Sequence, residues 1–173
     1  MEQKITPPLT KGILISLILI ILSLAIYFLN IDINSPAKYI AYIILIAGII
    51  WSVSSFGKQN NYNSTFGNYF SHGFKITAIV TLLMILFTVI FVLLFPDIKA
   101  NGMVAARKKM EADGRLTTDQ INQYLILTGK LFMVYIIAFI LISYLFVGAV
   151  ASLIGAGVTK KEPHPEGEIN QIK

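Results

Sequence analysis

The groups on which catalysis or metal binding could be built are few. His72 and His164 lie in separate polar segments, and there is no cysteine. Zinc needs three or four ligands converging on one point; neither histidine has a companion at ligand spacing, and no His-Glu-x-x-His helix or phosphate loop occurs. The lack of cysteine also removes disulfides, thiol nucleophiles and iron–sulfur ligation. Asp97, Glu111, Asp113 and Asp119 share one polar segment with six Lys or Arg residues and read as a solvated surface. An acid–base pair would need a pocket to separate its pKa values, and none is indicated. The other chemistry-bearing groups are hydroxyls within apolar stretches: Ser16, Ser23, Ser52, Ser54, Thr81, Thr88, Ser143 and Ser152. Most can bond back to a carbonyl one turn earlier and so do not announce a pore. The expectation is no catalytic residue, no cofactor-binding residue and no metal ligand: a protein that is not an enzyme.

The elements that carry these groups define the solvent. Of 173 residues, 55% are hydrophobic and 13% are charged, against about 25% charged in an ordinary soluble domain. Too little polar surface remains to coat a water-soluble globule. Four apolar stretches, residues 12–29, 39–56, 76–95 and 131–157, contain no Lys, Arg, Asp, Glu or His. Each is near the ~20 residues that cross a ~30 Å hydrocarbon core. Lys11, Lys38, Lys58, Lys75, Lys130 and Lys160 stand just outside their ends, where ammonium groups are expected to reach lipid headgroups. The run through residue 29 continues past the small residues Ser23 and Ala25, so the first stretch reads as a retained span and not as a cleaved signal. The predicted class is all-α: a polytopic membrane protein forming a single membrane domain over residues 1–173, with the lipid bilayer as its main partner. The net charge of +5 is dispersed and gives no nucleic-acid surface.

Between spans, Asp32, Asn34 and Pro36 mark a turn. Ahead of the third span, Tyr62, Phe66, Tyr69, Phe70 and Phe74 recur at helical spacing, predicting a short aromatic-faced interfacial helix capped by Ser64 or Thr65. Its bland reading is a lead-in to the span; its functional reading is a docking face for a lipid or a partner. Residues 96–130 predict an extramembrane helical hairpin between the third and fourth spans. Asn101 would start its first helix and Gly114 would end it; Thr117 with Gln120 forms a capping box for the second. Residues 158–173, with two prolines and three glutamates, predict a disordered tail.

Small residues suggest where helices approach closely. Gly148, Ser152 and Ala156 repeat every four positions, Ala151 and Gly155 form a second stripe, and Gly48 with Ser52 a shorter one. These faces fit packing inside one chain or an interface with a membrane-protein partner or a homo-oligomer. Lysines close to the span ends favour the side bearing Lys11, Lys58, Lys75, Lys160 and Lys161, which places both termini in the cytoplasm, although the run Arg107-Lys108-Lys109 pulls the other way. The leading reading is a non-enzymatic structural or accessory membrane subunit. The alternative is a small oligomeric transporter or channel for a neutral or lipophilic solute, lined by groups such as Ser52 and Thr81. An enzyme acting on lipid headgroups has only His72 and hydroxyls to offer and ranks last.

FGNYFSHGFKI (66–76), FPDI (95–98), LTTDQINQ (116–123) and YLFVGAVASLIGAGVTKKE (144–162), in that order and spacing, resemble a bacterial family catalogued as domain of unknown function 4199. The resemblance covers nearly the whole chain. It implies a four-span protein of the cytoplasmic membrane with an outer helical loop, and it brings no catalytic residue, substrate or cofactor.

Overall fold

Apolar runs of this length without internal proline must satisfy their own backbone hydrogen bonds in lipid, which favours helix throughout these stretches. In the computed structural model, which describes residues 5–31, 36 and 38–159, these runs form α1 (Pro8–Phe28), α2 (Lys38–Gln59), α3 (Phe66–Leu94) and α6 (Phe132–Val158). The polar segment forms α4 (Asp97–Asp113) and α5 (Thr118–Lys130). No strand occurs among the described residues. A helix of 21 residues, the apolar length of α1, rises about 30 Å, and four helices are long and apolar enough to cross a membrane. The chain is a multi-pass, all-helical membrane protein. The expected tail falls at 160–173 and most of the first turn at 32–35 and 37, outside the described residues.

Local chemistry sets the helix ends. Pro8 stands at the start of α1, where its missing N–H costs nothing. Past the other end, Asn30 turns left-handed with φ 51°, a conformation Asn tolerates. Gly114 closes α4 with φ 65°. Thr117 and Gln120 form the full capping box of α5. A single bend at Leu131 separates α5 from α6.

Three expectations are corrected. The lead-in to the third span is not a separate helix: Gly67 and Gly73 are accommodated, and α3 runs unbroken for 29 residues. Helix α4 begins at Asp97, not at Asn101, because Pro96 already has helical dihedrals (φ −65°, ψ −18°) and Asp97 favours a helix N-terminus. Lys11 does not extend toward the headgroups; it is buried within the first turn of α1.

The chain divides into two compact units, Met1–Val80 with Phe146–Lys173, and Thr81–Leu145. In the first, α1 and α2 pack antiparallel beside the start of α3 and the end of α6. Side chains of Leu19, Leu45, Ile49, Val53, Ile76 and Val80 are fully enclosed. In the second, α4 and α5 pack on each other with Ile121 buried. Arg107 Nη2 donates to Asn122 Oδ1 across that pair. Phe87 stacks on Phe91 along α3, Phe95 just past the helix meets Phe91 at a tilt of 54°, and the Lys99 ammonium lies 6.0 Å over the Phe132 ring.

Candidate functional site

The start of α1, the end of α2 and the start of α3 come together at one end of the first unit. Two reciprocal hydrogen bonds join the first two: Thr6 N–H donates to Gln59 Oε1 (2.9 Å), and Gln59 Nε2 donates to Thr6 Oγ1 (3.0 Å). One turn further in, Lys11 Nζ donates to the Ser52 carbonyl at 3.0 Å and lies 5.9 Å from the Trp51 ring centroid. The chain then turns through Asn61 and Tyr62, both left-handed, and Tyr62 N–H returns to the Gly57 carbonyl at 2.8 Å. Of the two candidate caps, Thr65 fills the position: its Oγ1 accepts from Asn68 N–H at 3.3 Å.

This convergence leaves an open cleft of about 400 Å³. Ile5, Pro8 and Phe56 form its apolar wall, while Asn60, Ser64, Asn68, Ser71, His72 and Lys75 supply polar groups. The His72 ring stacks on Phe56 at 4.1 Å and 9°, and Tyr69 meets the same phenylalanine edge-on at 5.9 Å. His72 is 6% exposed, and its Nε2 has no hydrogen-bond partner among the described residues. The Tyr69 hydroxyl and Ser52 Oγ are likewise buried and unpartnered. An unsatisfied buried polar group costs on the order of 1–3 kcal/mol, so three in one packed end require an explanation.

Among the described residues of this unit the charge is one-sided. The described residues of this unit include Lys11, Lys38, Lys58 and Lys75 and no Asp or Glu. Lys11, Lys58 and Lys75 are all on the segments that meet here.

The small-residue stripes are taken up within the same unit. Gly148, Ala151, Ser152, Gly155 and Ala156 are all buried. A Cβ at Gly148 would overlap the Thr77 side chain, and one at Gly155 would come 3.1 Å from Val53. Ser152 donates to the Gly148 carbonyl at 2.7 Å, and its Oγ would meet a Cβ at Gly73 at 2.7 Å. Gly48 faces Ile15, and Ser52 is fully enclosed. The five aromatics divide: Tyr62 precedes α3, Tyr69 is fully buried, Phe70 stacks on Phe74, and Phe66 and Phe74 are exposed. The cleft's polar residues had a signal in the sequence. Ser64, Asn68, Ser71, His72 and Lys75 recur at i, i+4, i+7, i+8 and i+11, a helical spacing on the same segment whose aromatic spacing is easier to see.

A second surface lies in the other unit. Helix α5 buries Ile121 but leaves Tyr124 and Leu127 exposed at i and i+3, and its C-cap Leu131 is exposed at i+7.

Residues 10–161 match the family described as "Protein of unknown function (DUF4199)". The match spans well over half of the chain, and the chain belongs to that family. No curated protein and no solved structure matches it.

Proposed function

We propose that the chain is a non-enzymatic accessory subunit of the cytoplasmic membrane that attaches to other membrane proteins through its second unit. The observation that carries this reading is the exposed apolar stripe of α5 and its C-cap: Tyr124 and Leu127 on the helix, Leu131 just past its end. The small-residue faces of α6 are occupied inside the chain, so α5 is the better candidate for contact with a partner. Aromatic and aliphatic side chains at helical spacing suit a helix face laid into a partner's groove. Lys58 and Lys75, close to the span ends, support a cytoplasmic location for both termini. That orientation puts the α4–α5 segment on the opposite side, outside the bilayer. The alternative transporter reading gains no support from Ser52 and Thr81, which are buried and do not line the cleft.

A photoreactive phenylalanine analogue in place of Tyr124, activated in native membranes, tests the reading. A reproducible protein adduct at that position, with only lipid adducts at the exposed mid-span Ile142, is the expected outcome. Lipid adducts alone at both positions overturn it.

A further inference from the structure

We propose that the cleft at the α1–α2–α3 end binds the phosphate of an anionic glycerophospholipid headgroup. Four observations converge. The polar lining is rich in donors: the Lys75 ammonium, the Ser64 and Ser71 hydroxyls and the Asn68 amide. The oxygens of a phosphodiester accept several such bonds at once. His72, 94% buried by its 6% exposure, lines the same cleft, and its Nε2 is an unpartnered nitrogen beneath the surface; a small turn of the ring toward a bound phosphate oxygen would satisfy a buried polar atom that otherwise stands at a cost. No carboxylate lines the cleft or occurs among the described residues of the unit, so nothing on those residues offsets the field of Lys11, Lys58 and Lys75.

The fourth observation selects a lipid over a soluble phosphate ester. One wall is Ile5, Pro8 and Phe56, an apolar surface that a glycerol backbone and proximal acyl carbons can cover. The cleft also lies where the polar first turns of α3 give way, after Lys75, to the apolar run beginning at Ile76. That is the depth at which lipid phosphates meet the hydrocarbon boundary. A zwitterionic headgroup carries its own cation beside the phosphate and would set it against Lys75; an anionic headgroup does not.

The full-length chain, purified in mild detergent, would be exchanged into nanodiscs of phosphatidylcholine containing phosphatidylglycerol as a minor component. Native mass spectrometry after release then counts the lipids retained. Wild type should retain phosphatidylglycerol over phosphatidylcholine by at least about fivefold, the scale of one lysine near an anionic lipid surface. Lys75→Gln, at an exposed position that leaves the packing untouched, and Ser71→Ala should each erode that preference, and His72→Phe should abolish retention. Because His72 is buried, the deciding variant is Lys75→Gln, in a sample whose helical content and elution volume match wild type. Equal retention of the two lipids, or a preference unchanged by Lys75→Gln, overturns the proposal. In a parallel calorimetric titration of delipidated protein, inorganic phosphate and glycerol phosphate should bind weakly or not at all. Saturable binding of either without lipid preference assigns the cleft to a soluble ligand and also overturns it.

Discussion

Glycine does opposite work in the two units. In the first, Gly12, Gly48, Gly73, Gly148 and Gly155 each face a neighbouring side chain so closely that an added Cβ would come within 3.1 Å of it or overlap it. In the second, a Cβ at Gly102 would lie 3.6 Å from Phe132, and one at Gly129 3.6 Å from Met103, both ordinary contacts. Charge divides the same way. The described part of the first unit has lysines and no carboxylate, whereas the second mixes six bases with Asp97, Glu111, Asp113 and Asp119. Close approach without hydrophobic driving force is the way helices associate in lipid. Balanced surface charge over a small apolar seam is the way they associate in water. The difference fits a unit that meets mainly lipid and a unit whose α4 and α5 meet mainly water.

The most severe test of this contrast is a single methyl group. Gly148→Ala places its Cβ against Thr77, which is fully buried and cannot swing aside. A loss of about 2 kcal/mol is expected, in the range for overpacked cores, read as a lowered unfolding temperature of the solubilised chain. Gly157→Ala on the same helix has nothing within 4 Å and should leave that temperature unchanged or slightly raised. Equal effects at both positions would mean that the close approach at Gly148 is not real. Ser152→Leu would damage the same seam, since Ser152 is fully enclosed against Gly73; it therefore cannot serve as a test of association between chains.

The next effect belongs to the second unit and is local. The Thr117 side chain accepts from Gln120 N–H while Gln120 Oε1 accepts from Thr117 N–H. Thr117→Ala removes half of this box and should cost about 1 kcal/mol. Hydrogen exchange of the first-turn amides of α5 should accelerate about fivefold, with exchange in α2 unaffected. Acceleration spreading to α2 would join the two units into one cooperative body.

That box was legible in the sequence because it is a relation between residues three apart, and so were the four long apolar helices, which length and composition fix. The start of α4 was not. Asn101 is the better cap by propensity, but Pro96 adopts helical dihedrals and takes the cap position five residues sooner. Lys11 misled for a related reason. A lysine at a span end ordinarily extends to water, but here the Ser52 carbonyl and the Trp51 ring receive it inside. The cleft was half visible: the polar spacing from Ser64 to Lys75 is in the sequence, whereas the wall of Ile5, Pro8 and Phe56 comes from separate stretches. The small-residue stripes were plain, but whether they serve one chain or two depends on which helices fold beside them.

The same Gly→Ala change should reverse sign in the second unit. At Gly129 the nearest atom is the end of a flexible Met103 side chain at 3.6 Å, and the residue lies within α5. Ala there removes the entropic penalty of helical glycine, so Gly129→Ala should stabilise α5 by about 0.5–1 kcal/mol, read as slower amide exchange in its last turns. Destabilisation would show that α5 is gripped as tightly as α6 and would erase the contrast.

The smallest effect tests whether the charged face of the second unit is in water. Arg107 Nη1 and Glu111 Oε1 are 3.4 Å apart, with both side chains about half exposed. Their order, base before acid along the helix, is the less favourable one, and Arg107 also donates to Asn122. Glu111→Gln should therefore change stability by no more than about 0.3–0.5 kcal/mol, and the change should shrink further in 1 M salt, where the screening length falls to about 3 Å. A loss well above 1 kcal/mol that persists in high salt would require Glu111 to be shielded from solvent in the membrane-embedded protein. Since Glu111 is exposed in the isolated chain, that shielding would have to come from another molecule seated on α4, and the partner face would then extend beyond Tyr124, Leu127 and Leu131.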